Sequence, residues 1–149
     1  MEGVFENHIL WTSFGATLAA QLLKVLLVLL ADRRWAPDRM LETGGMPSSH
    51  SAAVAALATS MGIAYGWASP QFTISAVFGS IIMYDATGIR RAAGKQAELI
   101  NELVHELTDV FDEGFKPEAL KTLLGHTYPQ VLVGALLGVL TAVVSFTYF

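Results

Sequence analysis

The first long apolar stretch constrains the fold of this chain more than any other feature. Residues 9–30 contain a single charged side chain, Lys24, in 22 positions. A helix of that length rises about 33 Å, which is enough to cross a hydrocarbon core of about 30 Å. Glu2 and Glu6 precede the stretch, so it lacks the basic leader of a signal peptide, and we expect a retained membrane span.

Three further apolar stretches have similar lengths. The chain has 149 residues, of which 53% are hydrophobic and 15% are charged. By length and hydropathy, spans are expected at about 9–30, 49–67, 72–89 and 128–149. Only residues 68–71, with Pro70 among them, separate the second and third spans, so a tight antiparallel turn is expected there. We predict an all-α integral membrane protein with four transmembrane helices in one domain, residues 1–149.

The connection at residues 90–127 carries its own helical pattern. Apolar residues recur at helical spacing at Ile100, Leu103, Val104, Leu107, Val110 and Phe111. This predicts an amphipathic helix that Gly114 and Pro117 close, followed by a short helix at 118–124. Its acidic face contains the pair Glu102 and His105, which has the spacing seen in di-metal carboxylate bundles. No second copy of that pair exists in the chain, so we interpret it as a solvated face and expect no metal.

The distribution of basic residues predicts an orientation. Eight of the nine lysines and arginines lie in the first and third connections: Arg33, Arg34, Arg39, Arg90, Arg91, Lys95, Lys116 and Lys121. The positive-inside rule places both connections in the cytoplasm and both termini outside. Lys24 is the ninth, and its side chain can snorkel toward the inner boundary.

With four spans in this orientation, three polar clusters meet at the inner membrane face. The first, residues 43–52, combines Gly44 and Gly45 with Ser48, Ser49 and His50 at the start of a helix. Unpaired N–H groups and the positive end of the helix dipole can hold an anion there. A well-capped helix start, with Ser48 or Ser49 as the cap, is the simpler interpretation, but an imidazole in the first turn exceeds what a cap requires.

The second cluster closes the third span and supplies cations. Asp85 is followed by Arg90, Arg91 and Lys95, and guanidinium groups bind phosphate oxygens in pairs. An ordinary positive flank with a salt bridge is the alternative. A carboxylate inside a membrane needs a partner, which Arg90, Arg91 or Lys24 could supply.

The third cluster opens the fourth span and supplies a second imidazole. His126 precedes Pro129 and Gln130, which suit the first turn of a helix. Alone, His126 would be interpreted as a structural or interfacial residue. Paired with His50 at similar depth, it indicates a nucleophile and a general acid for phosphoryl transfer, with cations stabilising the equatorial oxygens.

These residues resemble a known superfamily. Gly-Gly-Met-Pro-Ser-Ser-His-Ser-Ala at 44–52, the segment 85–96 and the residues around His126 are similar to signatures of the type 2 phosphatidic acid phosphatases and vanadium-dependent haloperoxidases, in their small divergent bacterial and plastid branch. The resemblance implies that His126 attacks phosphorus and that His50 protonates the leaving group. It also implies that serine and backbone amides of the first cluster hold phosphate.

The chain departs from the mainstream pattern of that superfamily. Gln130 stands where an aspartate follows the second histidine, and the Ser-Arg pair before that histidine and the Lys-x6-Arg-Pro motif are absent. An amide can orient an imidazole but cannot stabilise imidazolium as a carboxylate does. We expect Arg90, Arg91 and Lys95 to replace the missing cations.

The resulting expectation is a metal-independent membrane phosphatase that needs no cofactor and acts on a lipid or isoprenoid phosphate or diphosphate, not on nucleic acid. His126 and His50 are the expected catalytic residues, and Asp85 orients a cation or histidine. The phosphate-binding set is Ser48, Ser49, Arg90, Arg91 and Lys95, with Lys24 and Gln130 in support. The resemblance further suggests a bacterial plasma membrane.

Two alternatives stay open at this stage. One is a lipid-phosphate binding or transport protein that does not hydrolyse, and the other is a structural protein with the acidic helix as its interface. The glycine pairs Gly62-x3-Gly66 and Gly134-x3-Gly138 permit close helix packing, which we expect within the chain, although a homodimer would enclose the site better.

Overall fold

The computed structural model describes residues 3–33, 35–36, 40, 44–107, 118–122 and 124–148. It contains helices α1 (His8–Asp32), α2 (Ser49–Tyr65), α3 (Pro70–Thr87), α4 (Ile89–Glu106) and α5 (Tyr128–Tyr148), with a short 3-10 helix at Val4–Glu6. No strand occurs within these described ranges, so the predicted all-helical class is confirmed. Several residues used for prediction lie outside the described ones: Arg34, Arg39, Thr43, Val110, Phe111, Gly114, Lys116 and Pro117.

Three helical segments of the described chain are long and apolar enough to cross a membrane. They are α1, α5 and the stretch Pro70–Glu106, which contains α3 and α4. The α2 helix has 17 residues and is not among them. Large apolar side chains face outward on these segments, as on Leu22 of α1, Phe78 of α3 and Leu136 of α5. Such faces suit a hydrocarbon environment.

The α2 helix lies at the centre and contacts α1, α3 and α5. Its interface with α5 consists of small residues, and the buried core is made of alanines: Ala16, Ala20, Ala52, Ala56 and Ala142. A Cβ atom on Gly134 would overlap the Ser48 carbonyl, and one on Gly138 would overlap the Ala52 carbonyl. The expected packing role of Gly134 and Gly138 within the chain is therefore confirmed.

Hydrogen bonds set the register of the helices at both ends of the bundle. The Ser48 N–H donates to the Gln130 carbonyl at 3.1 Å, which aligns the starts of α2 and α5. At the other end the Thr12 and Ser145 hydroxyls lie 2.8 Å apart, and Ser145 Oγ lies 2.8 Å from His8 Nε2. Hence α5 runs parallel to α2 and antiparallel to α1.

The turn between α2 and α3 is as tight as the sequence predicts. Gly66 ends α2 with φ of 92°, and the Ser69 hydroxyl accepts a hydrogen bond from the Phe72 N–H at 3.2 Å. Pro70 begins α3, where its fixed φ suits the first turn of a helix. The α3 helix then breaks at Gly88, and α4 follows directly as the predicted amphipathic helix.

The predicted short helix at 118–124 is wrong, because the described residues 118–122 and 124 are not helical. The Asn101 side chain bonds both backbone groups of Leu120: Nδ2 donates to its carbonyl at 2.9 Å and Oδ1 accepts from its N–H at 2.9 Å. Gly94 of α4 also faces the backbone carbonyls of Thr122 and Leu124. The segment around Leu120 therefore runs along α4. The Leu120 backbone groups bond the Asn101 side chain instead of other backbone groups in a helical turn.

Replacing Gly138 with valine should destabilise the bundle, because the added atoms would collide with the α2 backbone at Ala52. We expect a loss of about 1–3 kcal/mol or more, measured by thermal unfolding in detergent. Gly15→Ala is the matched control, since nothing lies within 4 Å of a Cβ there. It should leave stability unchanged or raise it slightly. Equal effects of the two substitutions would contradict the close α2–α5 contact.

Candidate active site

A cavity of about 220 Å³ lies at the end of the bundle where α2 and α5 begin. We call it the histidine cavity. It is lined by His50, Ile81, Ile82, Asp85, Ala86, Arg90, Leu124, Gly125 and His126. The lining combines apolar side chains with two imidazoles, a carboxylate and a guanidinium. Four of the residues predicted from the sequence, from all three clusters, therefore line one cavity.

His50 is placed by a well-formed helix start. Ser48 is the N-cap of α2, and its hydroxyl accepts hydrogen bonds from the Ser51 N–H at 3.3 Å and the Ser51 hydroxyl at 3.0 Å. His50 follows in the first turn and is exposed. The sequence offered Ser48 or Ser49 as the cap, and the structure selects Ser48.

His126 is held in the break between α3 and α4. Its backbone N–H donates to the Ala86 carbonyl at 2.8 Å, near the end of α3. Gly125 precedes it with φ of 77°, and a Cβ on Gly125 would overlap the Arg91 backbone. The loop therefore fits this break only with a glycine, and the His126 side chain is left 4% exposed.

Asp85 and Arg90 form an ion pair across the same break. Arg90 Nε lies 2.6 Å from Asp85 Oδ2, and Arg90 keeps most of its side chain exposed. Of the partners considered from the sequence for Asp85, Arg90 is the one found in ion-pair geometry. The guanidinium can still present its terminal nitrogens to an anion, because the bond to Asp85 uses Nε.

Lys24 approaches the cavity from α1. Its side chain is 3% exposed, and its charge acts on His126. Gly45 covers its aliphatic part, because a Cβ there would lie 3.4 Å from Lys24 Cδ. Gly45 has φ of 90°, a conformation that favours glycine. The loop before α2 thus packs on the lysine that the sequence analysis placed inside the first span.

Burial lowers the pKa of His126 below the ordinary 6.5 of a histidine. The Gly125 backbone opposes the shift, whereas the positive charges of His50, Lys24 and Arg90 lower the pKa further. No residue in the described part hydrogen-bonds His126 Nδ1, which is buried. At neutral pH the imidazole is therefore uncharged, with a ring nitrogen free to act as a nucleophile or base.

Gln130 does not hold an imidazole. Its side-chain oxygen accepts a hydrogen bond from the Thr127 N–H at 2.9 Å, so it caps the start of α5. Its position four residues after His126 suggested an orienting role. In the structure this oxygen caps the helix, and Gln130 makes no hydrogen bond to His126 Nδ1.

The remaining predicted phosphate ligands lie outside the cavity lining. Ser48 and Ser49 are buried, Arg91 is half-buried and Lys95 is exposed on α4. Of the cations in the second cluster, Arg90 is the one among the lining residues, where its bond to Asp85 holds it.

Gln21 is a polar residue that the sequence analysis passed over. Its Oε1 atom is buried, and no hydrogen bond to it occurs within the described ranges. It lies three residues before Lys24, hence on the same face of α1. The sequence did contain a signal that could have selected Gln21: it is a second polar side chain one turn from Lys24 in an otherwise apolar span.

Comparison with known proteins places these residues in a family. A sequence model described as "Divergent PAP2 family" matches residues 5–141. The chain belongs to the divergent PAP2 family. It is also 40% identical over 155 residues to a protein of Bacillus subtilis (strain 168) named "Uncharacterized membrane protein YuiD", with 98% of each chain covered. No solved structure matches. Family membership agrees with the resemblance inferred from the motifs, and this divergent PAP2 protein is a membrane protein.

Removing the guanidinium of Arg90 should raise the pKa of His126. Arg90→Ala deletes a positive charge that acts on the imidazole and frees the Asp85 carboxylate, and both changes favour imidazolium. The pKa can be measured by NMR on isotope-labelled histidine in nanodiscs. Lys95→Ala removes an exposed cation outside the cavity lining and should leave the value unchanged. If both variants titrate like the parent protein, Arg90 does not act on His126.

The lowered pKa of His126 also predicts an acid-sensitive fold. When the pH falls below the ordinary histidine pKa of 6.5, His126 takes up a proton in the unfolded chain but stays unprotonated in the folded protein until its lower folded pKa is reached. This group should therefore destabilise the fold as pH falls from 6.5 toward its lower folded pKa, and have no effect above 6.5. Thermal unfolding at several pH values should show a smaller acid loss in His126→Gln than in the parent. Parallel pH curves for the two proteins would refute the link.

Proposed function

We propose that this protein is a membrane-embedded phosphatase that hydrolyses a lipid or isoprenoid phosphate or diphosphate through a histidine nucleophile. The main support is the meeting of His50 and His126 in one cavity, although 75 residues separate them in the chain. Membership of the divergent PAP2 family supports the same reaction class. The ion pair of Asp85 and Arg90 adds a cation for the phosphate.

In the first step, a ring nitrogen of neutral His126 attacks phosphorus. A P–N bond forms, the bond from phosphorus to the leaving oxygen breaks, and protonated His50 gives its proton to that oxygen. Burial and neighbouring cations favour the neutral form of His126 in the resting state. That form is the one a nucleophile requires.

In the second step, water attacks the phosphohistidine. Neutral His50 accepts a proton from the water, the P–N bond breaks, and inorganic phosphate leaves while His126 returns to its uncharged state. Arg90 in the cavity lining stabilises the negative charge on the equatorial oxygens, and the charge of Lys24, which lies outside the lining but acts on His126, adds to the positive potential of the site. This effect is strongest where water is excluded. Ser48, Ser49, Arg91 and Lys95 would act only if a bound substrate extends beyond the lining described above.

The proposal includes four spans with both termini outside. The α2 helix rises about 25 Å and packs along α1, α3 and α5, so it should lie in the membrane wherever they do. The positive-inside bias then puts the histidine cavity at the cytoplasmic face. A homodimer is included because Arg90 and Asp85 retain exposure that a second copy could cover.

Purified protein in nanodiscs should release inorganic phosphate from lipid phosphates. We expect His126→Ala to abolish turnover and acid-labile phosphohistidine, and His50→Ala to slow turnover by about 10²–10⁴-fold. His105→Ala is the matched control, because His105 is an exposed histidine on α4 outside the cavity lining. It should behave like the parent. Unchanged turnover in His126→Ala would falsify the covalent mechanism.

A non-hydrolytic lipid-phosphate binder is the second candidate. It is favoured by the capping role of Gln130 and by the absence of a partner for His126 Nδ1 within the described residues. Asp85 lines the cavity but is paired with Arg90, so the charge that His126 gains on attacking phosphorus has no carboxylate hydrogen-bonded to Nδ1 within the described residues to offset it. Tight binding of a lipid phosphate by the parent protein, with no phosphate release and no phosphohistidine, would favour this candidate over the enzyme.

A further inference from the structure

One face of α3 leads from the lipid-facing surface directly into the histidine cavity. Ile74, Phe78, Ile81 and Asp85 follow each other at steps of four, three and four residues, which places them in one row along a helix. The first three are 63%, 64% and 60% exposed. The fourth lies in the cavity in its ion pair with Arg90. We call this row the α3 track.

Ile81 lies where the lipid-facing surface of α3 meets the histidine cavity. It is exposed on the outer surface of α3 and also lines the cavity, together with Ile82 and Leu124. The apolar part of the cavity lining therefore meets the lipid-facing surface of α3 at Ile81.

Other helices offer apolar outer faces, but those faces do not reach the cavity. Leu18, Leu22 and Leu26 are exposed on α1, and Leu132 and Leu136 on α5. None of the described residues of α1 or α5 is among the cavity lining. The α3 track is thus distinguished from ordinary lipid-facing surface by ending at a charged cavity.

The volume of the cavity fits a lipid headgroup, and the length of the α3 track fits a hydrocarbon chain. A cavity of about 220 Å³ is smaller than the range of about 300–1,000 Å³ that encloses drug-sized ligands. It can seat a phosphate group while the hydrocarbon stays outside. From Ile74 to Asp85 the helix rises about 16 Å, roughly half of a 30 Å hydrocarbon core. The track therefore matches the depth of one leaflet.

We propose that a hydrocarbon chain of a phosphate-bearing lipid lies along the α3 track, with its phosphate in the histidine cavity. The lipid enters sideways from a single leaflet, and Ile81 determines which chains pass the mouth. This inference rests on the proposed function for the identity of the headgroup. What the inference adds is the path of the lipid's hydrocarbon chain, and that path does not depend on hydrolysis.

Photo-crosslinking tests the path without requiring turnover. The probe is phosphatidic acid with a diazirine in mid-chain, added to the full-length protein in nanodiscs, and crosslinked residues are located by mass spectrometry. We expect enrichment at Ile74, Phe78 and Ile81 over a phosphatidylcholine probe with the same diazirine. Arg90→Ala should remove that enrichment. Equal labelling of α1, α3 and α5, or equal labelling by both probes, would overturn the proposal.

Turnover distinguishes failure of the track from failure of the enzyme. We expect Phe78→Ala, on the track but outside the cavity lining, to lower kcat/KM for a long-chain phosphatidic acid by about tenfold or more, a size typical of altered apolar pockets. A water-soluble dihexanoyl analogue should be affected much less. Leu136→Ala, on the outer face of α5, is the matched control and should change neither rate. Equal losses on both substrates in Phe78→Ala would contradict the track and leave the phosphatase intact. If the parent hydrolyses neither substrate, the phosphatase proposal fails and crosslinking alone decides the path.

Discussion

The close contact between α2 and α5 is the interaction on which the rest of the structure depends. Lipid chains are as apolar as the side chains they would replace, so helices in a bilayer associate through tight packing and hydrogen bonds. Gly134 and Gly138 let the α5 backbone touch that of α2 at Ser48 and Ala52. The hydrogen bond from the Ser48 N–H to the Gln130 carbonyl then aligns the two helix starts. Because His50 follows one start and His126 precedes the other, this alignment brings two distant imidazoles to one cavity.

A second constraint comes from the break between α3 and α4. Gly88 interrupts a helix that would otherwise continue, and the loop with Gly125 and His126 fills the gap by bonding the Ala86 carbonyl. The same break lets Arg90 fold back on Asp85. The result is a buried neutral imidazole facing cations at the end of an apolar bundle. Desolvation keeps His126 uncharged and strengthens its interaction with any anion that enters, since both effects follow from the exclusion of water.

Much of this arrangement could be predicted from the sequence, for identifiable reasons. The hydrocarbon core sets span length, so the ends of α1, α2, α3 and α5 lie within a few residues of those expected from hydropathy. By contrast, α4 ends at Glu106, before the closure expected at Gly114 and Pro117. Counting apolar stretches also predicted the meeting of His50, Asp85, Arg90 and His126. The short helix at 118–124 was wrong, because propensity within that segment could not reveal that Asn101 binds the backbone of Leu120. The role expected for Gln130 also differed, since spacing alone does not distinguish an oxygen that orients an imidazole from one that caps a helix.

By itself, the sequence determined the membrane class of the protein, its family and the residue types available for phosphate chemistry. These depend on hydropathy and on short local motifs, which are properties of neighbouring residues. The tertiary structure alone decided which cation lines the cavity, which serine caps α2, that Lys24 lies near His126, and that exposed Ile81 of α3 also lines the cavity. Those outcomes depend on helix register and on the break between α3 and α4 at Gly88. Both are set by contacts between residues far apart in the chain, where a change of one residue in register would turn a side chain from the cavity toward lipid.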